Sequence, residues 1–326
     1  MNAGKTEREC VEVAIKLAEN VGYRNLKELH HSGKSLKSGD KIYAVNMNKT
    51  IALFCLGTEA LSSGMNILGA HIDSPRIDVK QNPLYENEGF AYFDTHYYGG
   101  IKKYQWIAQP LSIHGVVVKT DGTIQKVMIG EDEKDPVFVI TDLLVHLAQE
   151  QMEKKASKII EGEKLDVLIG NRPIIEVVDR IGITKDNGVS KNTTIKANIL
   201  KLLYERYSIR EEDLVSAELE IVPAGKARDC GLDRSMILSY GQDDRACAFS
   251  SLFAMLDISN TKKTGCCLLV DKEEIGSVGA TGMQSRFFEN IIAELVAMTE
   301  GGSELKVRRA LMNSRMLSAD VSAAYD

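Results

Sequence analysis

Residues 265–277 read GCCLLVDKEEIGS, and this stretch decides the fold class of the chain. Its apolar run, bounded by a glycine, predicts a short buried β-strand. Two adjacent glutamates follow, and the carboxyl ends of strands are where open α/β sheets bind ligands. We therefore expect an α/β fold with Glu273 and Glu274 beside a site at one edge of the sheet. A solvated loop is the alternative.

Three more segments place acids or an imidazole near predicted strand or helix ends: GAHIDSP (69–75), GQDDR (241–245) and SAD (318–320). Each has an ordinary structural explanation when taken singly. The first is a structural His-x-Asp pair, the second a helix N-cap, and the third a turn aspartate. The adjacent acids Asp243 and Asp244 are harder to explain, because neighbouring carboxylates repel unless a cation or an arginine lies between them.

Together, the four segments suit a pair of divalent metal ions. Two metals about 3.5–4 Å apart activate a shared water and stabilise both oxygens of the transition state. Such a site needs a bridging carboxylate, terminal histidine and acid ligands, and a free carboxylate as general base. The sequence lacks the GxGxxG, GxxxxGK, HExxH and GxSxG patterns, which argues against nucleotide loops, zincins and serine hydrolases.

The two ends of the chain alternate strand and helix patterns, whereas the middle is rich in strands. We predict one α/β domain from residues 1–82 and 226–326, with a β-rich domain inserted at 83–225. Within the insert, the apolar spacing predicts a strand at 137–140 and a helix from 142 to about 155.

The composition excludes several classes of protein. The chain has 326 residues, 44% of them hydrophobic and 26% charged, which is typical of a globular protein. A formal net charge of −6 argues against nucleic acid and anionic membranes as partners. The N-terminus has no signal-peptide pattern, and the apolar runs are too short to span a bilayer. Six cysteines without a CxxC pair predict reduced thiols, so we expect a cytoplasmic protein.

The segments GAHIDSP, GQDDR, DKEEIGS and SAD, in this order, resemble the signature segments of the aspartyl aminopeptidase and vacuolar aminopeptidase I family. The resemblance runs from about residue 6 to residue 326 and includes THYYGGIKKYQW in the insert. Members of that family are two-zinc exopeptidases. The resemblance therefore implies a zinc-exopeptidase-like mixed sheet flanked by helices, and an enzyme that removes N-terminal residues from peptides.

The resemblance also implies metal ligands. His71 and Asp320 would bind one zinc, Glu274 would bind the other, and Asp243 would bridge the two. The cofactor expected is two divalent ions per subunit, with zinc first and cobalt or manganese as alternatives, because a carboxylate-rich set of ligands accepts all three.

Further roles follow from the same resemblance. Glu273 would be the general base, and Asp73 would hold His71 in its metal-binding tautomer. The insert resembles the family's dimerisation domain, through which dimers assemble into tetrahedral dodecamers. His146 would reach the substrate site of a neighbouring subunit.

One departure from the family pattern concerns the final zinc ligand. The family has a further histidine well downstream of the SAD segment, whereas here no histidine follows His146. The second metal site is therefore incomplete within these residues, and family members also carry extra N-terminal residues. We expect a chain truncated at both ends, and activity from these residues alone is not expected.

The substrate stays open between two branches of the family. Many members prefer N-terminal Asp or Glu, and others prefer neutral residues such as Leu. The alternatives outside the family are another two-metal amide hydrolase and, from a different class, a non-enzymatic assembly subunit with a degenerate site. The presence of both Asp243 and Glu273 argues against a degenerate site.

Overall fold

The computed structural model describes residues 1–31, 35–174 and 193–323. The chain divides into two compact units. The first comprises Met1–Ser74 together with Ala227–Asp326, and the second comprises Pro75–Lys226.

Fourteen strands and seven helices are described. The strands are β1 (Arg24–Asn25), β2 (Lys41–Asn46), β3 (Thr50–Cys55), β4 (Asn66–His71), β5 (Arg76–Asn87), β6 (Phe90–Tyr98), β7 (Leu111–Val118), β8 (Ile124–Ile129), β9 (Val167–Gly170), β10 (Ala217–Pro223), β11 (Arg228–Cys230), β12 (Met236–Leu238), β13 (Gly265–Val270) and β14 (Arg315–Ser318). The helices are α1 (Glu7–Asn20), α2 (Leu26–His31), α3 (Gln149–Met152), α4 (Thr193–Tyr207), α5 (Gln242–Asp257), α6 (Phe287–Glu300) and α7 (Glu304–Met312). Within the described ranges, no helix has both the length and the apolar character needed to cross a bilayer.

The first unit is built on a six-stranded mixed sheet in the order β1-β2-β3-β13-β4-β14. Strand β13 runs antiparallel to β3 and parallel to β4, and β14 also runs parallel to β4. The short apolar run of β13 is buried on both faces, as expected of a central strand between helical layers.

Helices cover both faces of this sheet. Cys266 and Leu268 of β13 share one core with residues of α2, α6 and α7. Cys267 and Leu269 point to the opposite face and share a second core with residues of α1 and α5. The predicted α/β fold, with a mixed sheet flanked by helices, is therefore confirmed.

Helix α1 begins at a capping box formed by Thr6 and Glu9. The Thr6 hydroxyl accepts a hydrogen bond from the Glu9 N–H at 3.4 Å, and the Glu9 carboxylate accepts one from the Thr6 N–H at 3.3 Å. These two bonds satisfy N–H groups that have no partner within the helix.

The register of the parallel strands positions the site. Val270 pairs with His71 across β13 and β4, and Ser318 pairs with Gly69 across β14 and β4. The three strands therefore end at the same edge of the sheet. Residues that follow β4, β13 and β14 emerge close together there, although they are far apart in the sequence.

The second unit contains a six-stranded sheet in the order β8-β7-β10-β5-β6-β9, in which all pairs are antiparallel. The sequence-based interval 83–225 begins inside β5, whereas the compact unit includes the whole of that strand. Ile195 and Ile199, which lie four residues apart on α4, are buried.

Two predictions for the insert are wrong. Residues 142–155 form only the short helix α3 and a 3-10 turn at Val145–Leu147. Leu144 and Leu147 remain exposed, and a row of apolar side chains that packs against nothing does not stabilise a helix. Residues 137–140 make isolated bridges to β7 and β9 rather than a regular strand.

Candidate metal centre

The common edge of β4, β13 and β14 collects the predicted site residues. His71 is the last residue of β4 and is 3% exposed. Glu273 and Glu274 lie in a 3-10 turn just beyond β13. Asp320 follows β14, whose continuation is tied to β4 by a hydrogen bond from the Ala319 N–H to the Gly69 carbonyl.

The imidazole of His71 has a defined orientation. Its Nδ1 lies 3.0 Å from the carbonyl oxygen of Asp73 and 3.3 Å from the Asp73 Oδ1. Its Nε2 lies 3.1 Å from Oδ1 of Asp243 and 3.8 Å from Oε2 of Glu273. If Nδ1 carries a proton, Nε2 is the nitrogen available to a metal on the carboxylate side of the ring.

The local charge at His71 is strongly negative. Burial alone would lower the pKa of His71. The hydrogen bond and the charge of Asp73, with the carboxylates of Glu273 and Asp243, outweigh burial and raise the pKa to about 9. In the metal-free protein, the proton on His71 therefore supplies part of the positive charge that a bound metal ion would supply.

Asp73 follows β4 and contacts the turn that follows β13. Its side chain is fully buried, and its two carboxylate oxygens accept hydrogen bonds from the backbone N–H groups of Glu273 and Glu274, each at 3.2 Å. The same carboxylate contacts Nδ1 of His71. The Asp73 side chain therefore orients the imidazole and also holds the backbone of the 3-10 turn at Glu273–Ile275, the glutamate turn.

The two aspartates at the start of α5 differ in exposure. The Asp243 side chain is 57% exposed, and the Asp243 carbonyl accepts a hydrogen bond of 2.7 Å from the Ser74 hydroxyl. Asp244 is 0% exposed, and burial raises its pKa. Within the described ranges, neither Asp244 carboxylate oxygen accepts a hydrogen bond from an N–H or O–H group, and the weakly donating thiol of Cys247 is beside it.

Two groups of three side chains can each bring donor atoms around one ion. His71, Asp243 and Glu274 form one group, and His71, Asp244 and Asp320 form the other, with donor atoms within 4.8 Å of one another. Burial, followed by the nearby Asp243 carboxylate, raises the pKa of Glu274 to about 7. An imidazole with several carboxylates that oppose each other's ionisation, one of them buried without an N–H or O–H donor, fits divalent metal binding.

His71 is the member common to both groups of candidate ligands. The bridging role of Asp243, which the family resemblance implies, stays a prediction. Asp244 was not predicted as a ligand. The sequence feature that could have indicated Asp244 is the second of the two adjacent acids in GQDDR. The sequence does not show, however, that one carboxylate is buried and the other exposed.

His146 lies in the other compact unit, on the exposed 3-10 turn at Val145–Leu147. It is in neither group of candidate ligands among the described residues. Its assignment to a neighbouring subunit's substrate site stays a prediction.

Comparison with known proteins decides the family. The sequence profile of a family described as "Aminopeptidase I zinc metalloprotease (M18)" matches residues 1–326. The chain belongs to the M18 aminopeptidase family. It is accordingly a metallo-aminopeptidase, a hydrolase that acts on peptides, and the family resemblance of the sequence is confirmed.

Individual relatives agree with the M18 assignment. The chain is 59% identical over 322 residues to a probable M18 family aminopeptidase 1 of Clostridium acetobutylicum, covering 99% of this chain and 67% of that protein. A crystal structure of an M18 aminopeptidase from Thermotoga maritima superposes with a TM-score of 0.90 at 42% identity, covering 100% of this chain and 68% of the other. The S. cerevisiae mApe1 dodecamer shares the fold at 20% identity with a TM-score of 0.74, covering 100% of this chain and 70% of that one.

Proposed function

We propose that this M18 chain removes N-terminal residues from peptides by means of a water molecule activated at two divalent metal ions. One observation carries the proposal. The ends of β4, β13 and β14 and the start of α5 bring His71 together with Asp243 and Glu274 in one group, and with Asp244 and Asp320 in another. Oε2 of Glu273 lies 3.8 Å from Nε2 of His71. When bound, the two ions would polarise the substrate carbonyl and lower the pKa of the attacking water.

The residues that would hold the ions are those of the two candidate groups. In the proposed arrangement, His71 and Asp320 would hold one ion, Glu274 would hold the other, and Asp243 would contribute to both. Asp244 is an additional candidate, because its buried carboxylate belongs to the group of His71 and Asp320. We propose zinc as the ion, with cobalt or manganese as alternatives, since carboxylates and an imidazole accept all three.

Glu273 suits the role of general base. Its side chain is 48% exposed, so it can meet a water molecule, and its backbone N–H is held by Asp73. The Glu273 carboxylate would accept a proton from the attacking water and then pass it to the leaving amine nitrogen. The carboxylate is thereby ionised again at the end of the reaction. Asp73 would keep the His71 ring and the glutamate turn in place throughout.

Acidic N-terminal residues are the first substrate class that we propose, with neutral residues such as Leu as the alternative. An acidic preference needs a cation in the substrate pocket. Lys80 and Arg76 follow the His71 segment, but each is already in ion pairs within the second unit. Lys80 Nζ lies 2.8 Å from Asp94, and Arg76 Nε lies 2.7 Å from Asp78.

We also propose that the second unit is a dimerisation domain and that dimers assemble further, with a tetrahedral dodecamer as the expected particle. A run of apolar side chains at 143–147 supports this proposal, because Leu143, Leu144, Val145 and Leu147 are each more than half exposed. His146 lies within the run, so docking of this run on a second copy could bring His146 to that copy's site. The S. cerevisiae relative is itself a dodecamer.

A reducing compartment such as the cytoplasm is the proposed location. All six cysteines are free thiols, and four of them are buried in the first unit. Disulfide-free cysteines in apolar surroundings are typical of proteins from reducing compartments.

The test is cleavage of matched peptides with N-terminal Asp or Leu by the full-length protein, with added zinc, cobalt or manganese and a chelated control. Metal-dependent release of Asp supports the acidic branch, and release of Leu moves the enzyme to the neutral branch. No release of either residue with any metal would overturn the proposed substrate classes and the two-metal mechanism.

A further inference from the structure

The carboxylate of Asp271 lies at the same strand end as the metal candidates but has a different environment. It is 0% exposed and follows β13 directly. One oxygen accepts the Lys272 N–H at 2.8 Å, and the other accepts the Thr281 hydroxyl at 2.5 Å. Among the described residues, Asp271 is in neither group of candidate ligands.

Thr281 continues the connection to the middle of the sheet. Its side chain is 4% exposed, and its carbonyl accepts a hydrogen bond of 2.5 Å from the hydroxyl of Thr50, the first residue of β3. The neighbouring Ala280 carbonyl accepts a bond of 2.7 Å from the Asn46 side chain at the end of β2. The loop after the glutamate turn is thus fastened to two strands that carry no candidate ligand.

The chain between Lys272 and Thr281 folds back closely on itself. The Ser277 N–H donates to the Lys272 carbonyl at 2.7 Å. Lys272 and Ser277 have φ values of 72° and 61°, a left-handed conformation that is unfavourable for residues with a Cβ. A Cβ at Gly282 would lie 2.3 Å from the Ser277 carbonyl oxygen. Such a turn keeps its shape only when its surroundings hold it.

We propose that Asp271, Thr281 and Thr50 form a clasp that positions the glutamate turn, so that Glu273 reaches the attacking water and Glu274 reaches its metal. Asp73 holds the turn from the side of β4, and the clasp holds it from the side of β3. The three residues of the clasp are positioning residues, because they act through the turn. This inference rests on the proposed function and extends it to residues outside the metal centre.

The central test is Thr281→Val in the full-length protein. Valine has nearly the same shape but lacks the hydroxyl that donates to Asp271. We expect kcat to fall about 10- to 100-fold, with KM changed less than about twofold, because small misplacements of catalytic groups cost about that much. The zinc dissociation constant, measured by competition with a chromophoric chelator, should rise about tenfold if Glu274 shifts.

Two further variants separate positioning from loss of stability. Thr281→Ser keeps the hydroxyl and should restore kcat and zinc affinity to within about threefold of the wild type, since the donor is retained. Thr264→Val is the matched control. Thr264 is a buried threonine of the same unit whose hydroxyl accepts the Gly57 N–H at 3.0 Å, and it precedes β13 at the opposite end from the site. It should lower the melting temperature and leave kcat unchanged.

Thr50→Val provides a milder variant if Thr281→Val does not fold. It removes only the bond to the Thr281 carbonyl and should lower kcat about threefold to tenfold, because one neutral hydrogen bond is lost. A folded Thr281→Val or Thr50→Val with wild-type kcat and zinc affinity would overturn the clasp. If the wild type itself cleaves no peptide, the proposed function fails, while the zinc competition still decides whether the clasp positions Glu274.

Discussion

Among the residues that the structure describes, two buried histidines, His71 and His114, contact carboxylates, and their surroundings lead to different roles. Nε2 of His71 faces Asp243 and Glu273 while Nδ1 faces Asp73, so several carboxylates compete for one imidazole. In the second unit, Nε2 of His114 lies 3.1 Å from Glu131, and the Ser112 hydroxyl donates to the same carboxylate at 2.7 Å.

The difference shows that a buried histidine beside an acid is not by itself a metal site. Among the described residues, both groups of candidate ligands contain His71 and neither contains His114. The excess of negative donors around His71 can be balanced by a cation. The polar cluster at His114 belongs to the packing of its sheet, where Ser112 and His114 lie on β7 opposite β10.

The largest effect is expected for Glu273→Gln in the full-length protein. The amide keeps the shape of the side chain but cannot accept the proton of water, so kcat should fall about 10²- to 10⁴-fold while the metal content is unchanged. Glu294→Gln, at an exposed position of α6, is the control and should keep wild-type turnover. Substantial turnover by Glu273→Gln would show that another group is the base.

The direct comparison of the two regions uses His71→Ala and His114→Ala. His71→Ala should lose bound zinc, measured by elemental analysis after dialysis, because both groups of candidate ligands contain that imidazole. His114→Ala should keep its zinc but lower the free energy of unfolding by about 1–3 kcal/mol, because Glu131 and Ser112 lose a buried partner. Zinc retained in His71→Ala, or lost in His114→Ala, would contradict a metal-binding role for His71 and a structural role for His114.

The stability of the metal-free protein should depend on pH through His71 and Glu274. The folded pKa of His71 is raised from 6.5 to about 9, so its stabilising contribution is full below pH 6.5 and is lost as pH rises through 9. The folded pKa of Glu274 is raised from 4.5 to about 7, so its ionisation also destabilises the fold as pH rises through that range.

We therefore expect the melting temperature of the metal-free protein to fall as pH is raised from 6 to 9. His71→Gln should lack the part of this fall that lies between pH 6.5 and 9. Zinc-saturated wild type is the control and should show a smaller slope, since the metal requires neutral imidazole and ionised carboxylates. An identical slope in His71→Gln and wild type would place the titrating group elsewhere.

The smallest effect on the chemistry is expected in the second unit. Leu147 is 68% exposed in the apolar run at 143–147, and Leu147→Asp should weaken self-association about tenfold or more by placing a charge in the contact. Leu305→Asp, at an exposed position of α7, is the control. Sedimentation velocity that shows the same particle for Leu147→Asp and wild type would exclude this run from the interface.

The sequence predicted the parts of the site that depend on strand ends. An apolar run followed by acids predicted that Glu273 and Glu274 lie just beyond a strand, and the same reasoning applied to His71 and Asp320. It failed for the helix at 142–155, because periodicity does not show whether an apolar stripe finds a partner. It also missed the burial of Asp244 and the bond between Thr281 and Asp271, since both depend on contacts with other elements.

The decisive measurement is the number of zinc ions bound per full-length chain, because the proposed mechanism needs two ions. It can be measured by equilibrium dialysis and elemental mass spectrometry, with His71→Ala dialysed in parallel. We predict two zinc ions per wild-type chain and a clear loss of zinc in the variant. A count of one would contradict the two-metal mechanism, and a count of zero would contradict the assignment of this sheet edge as a metal centre.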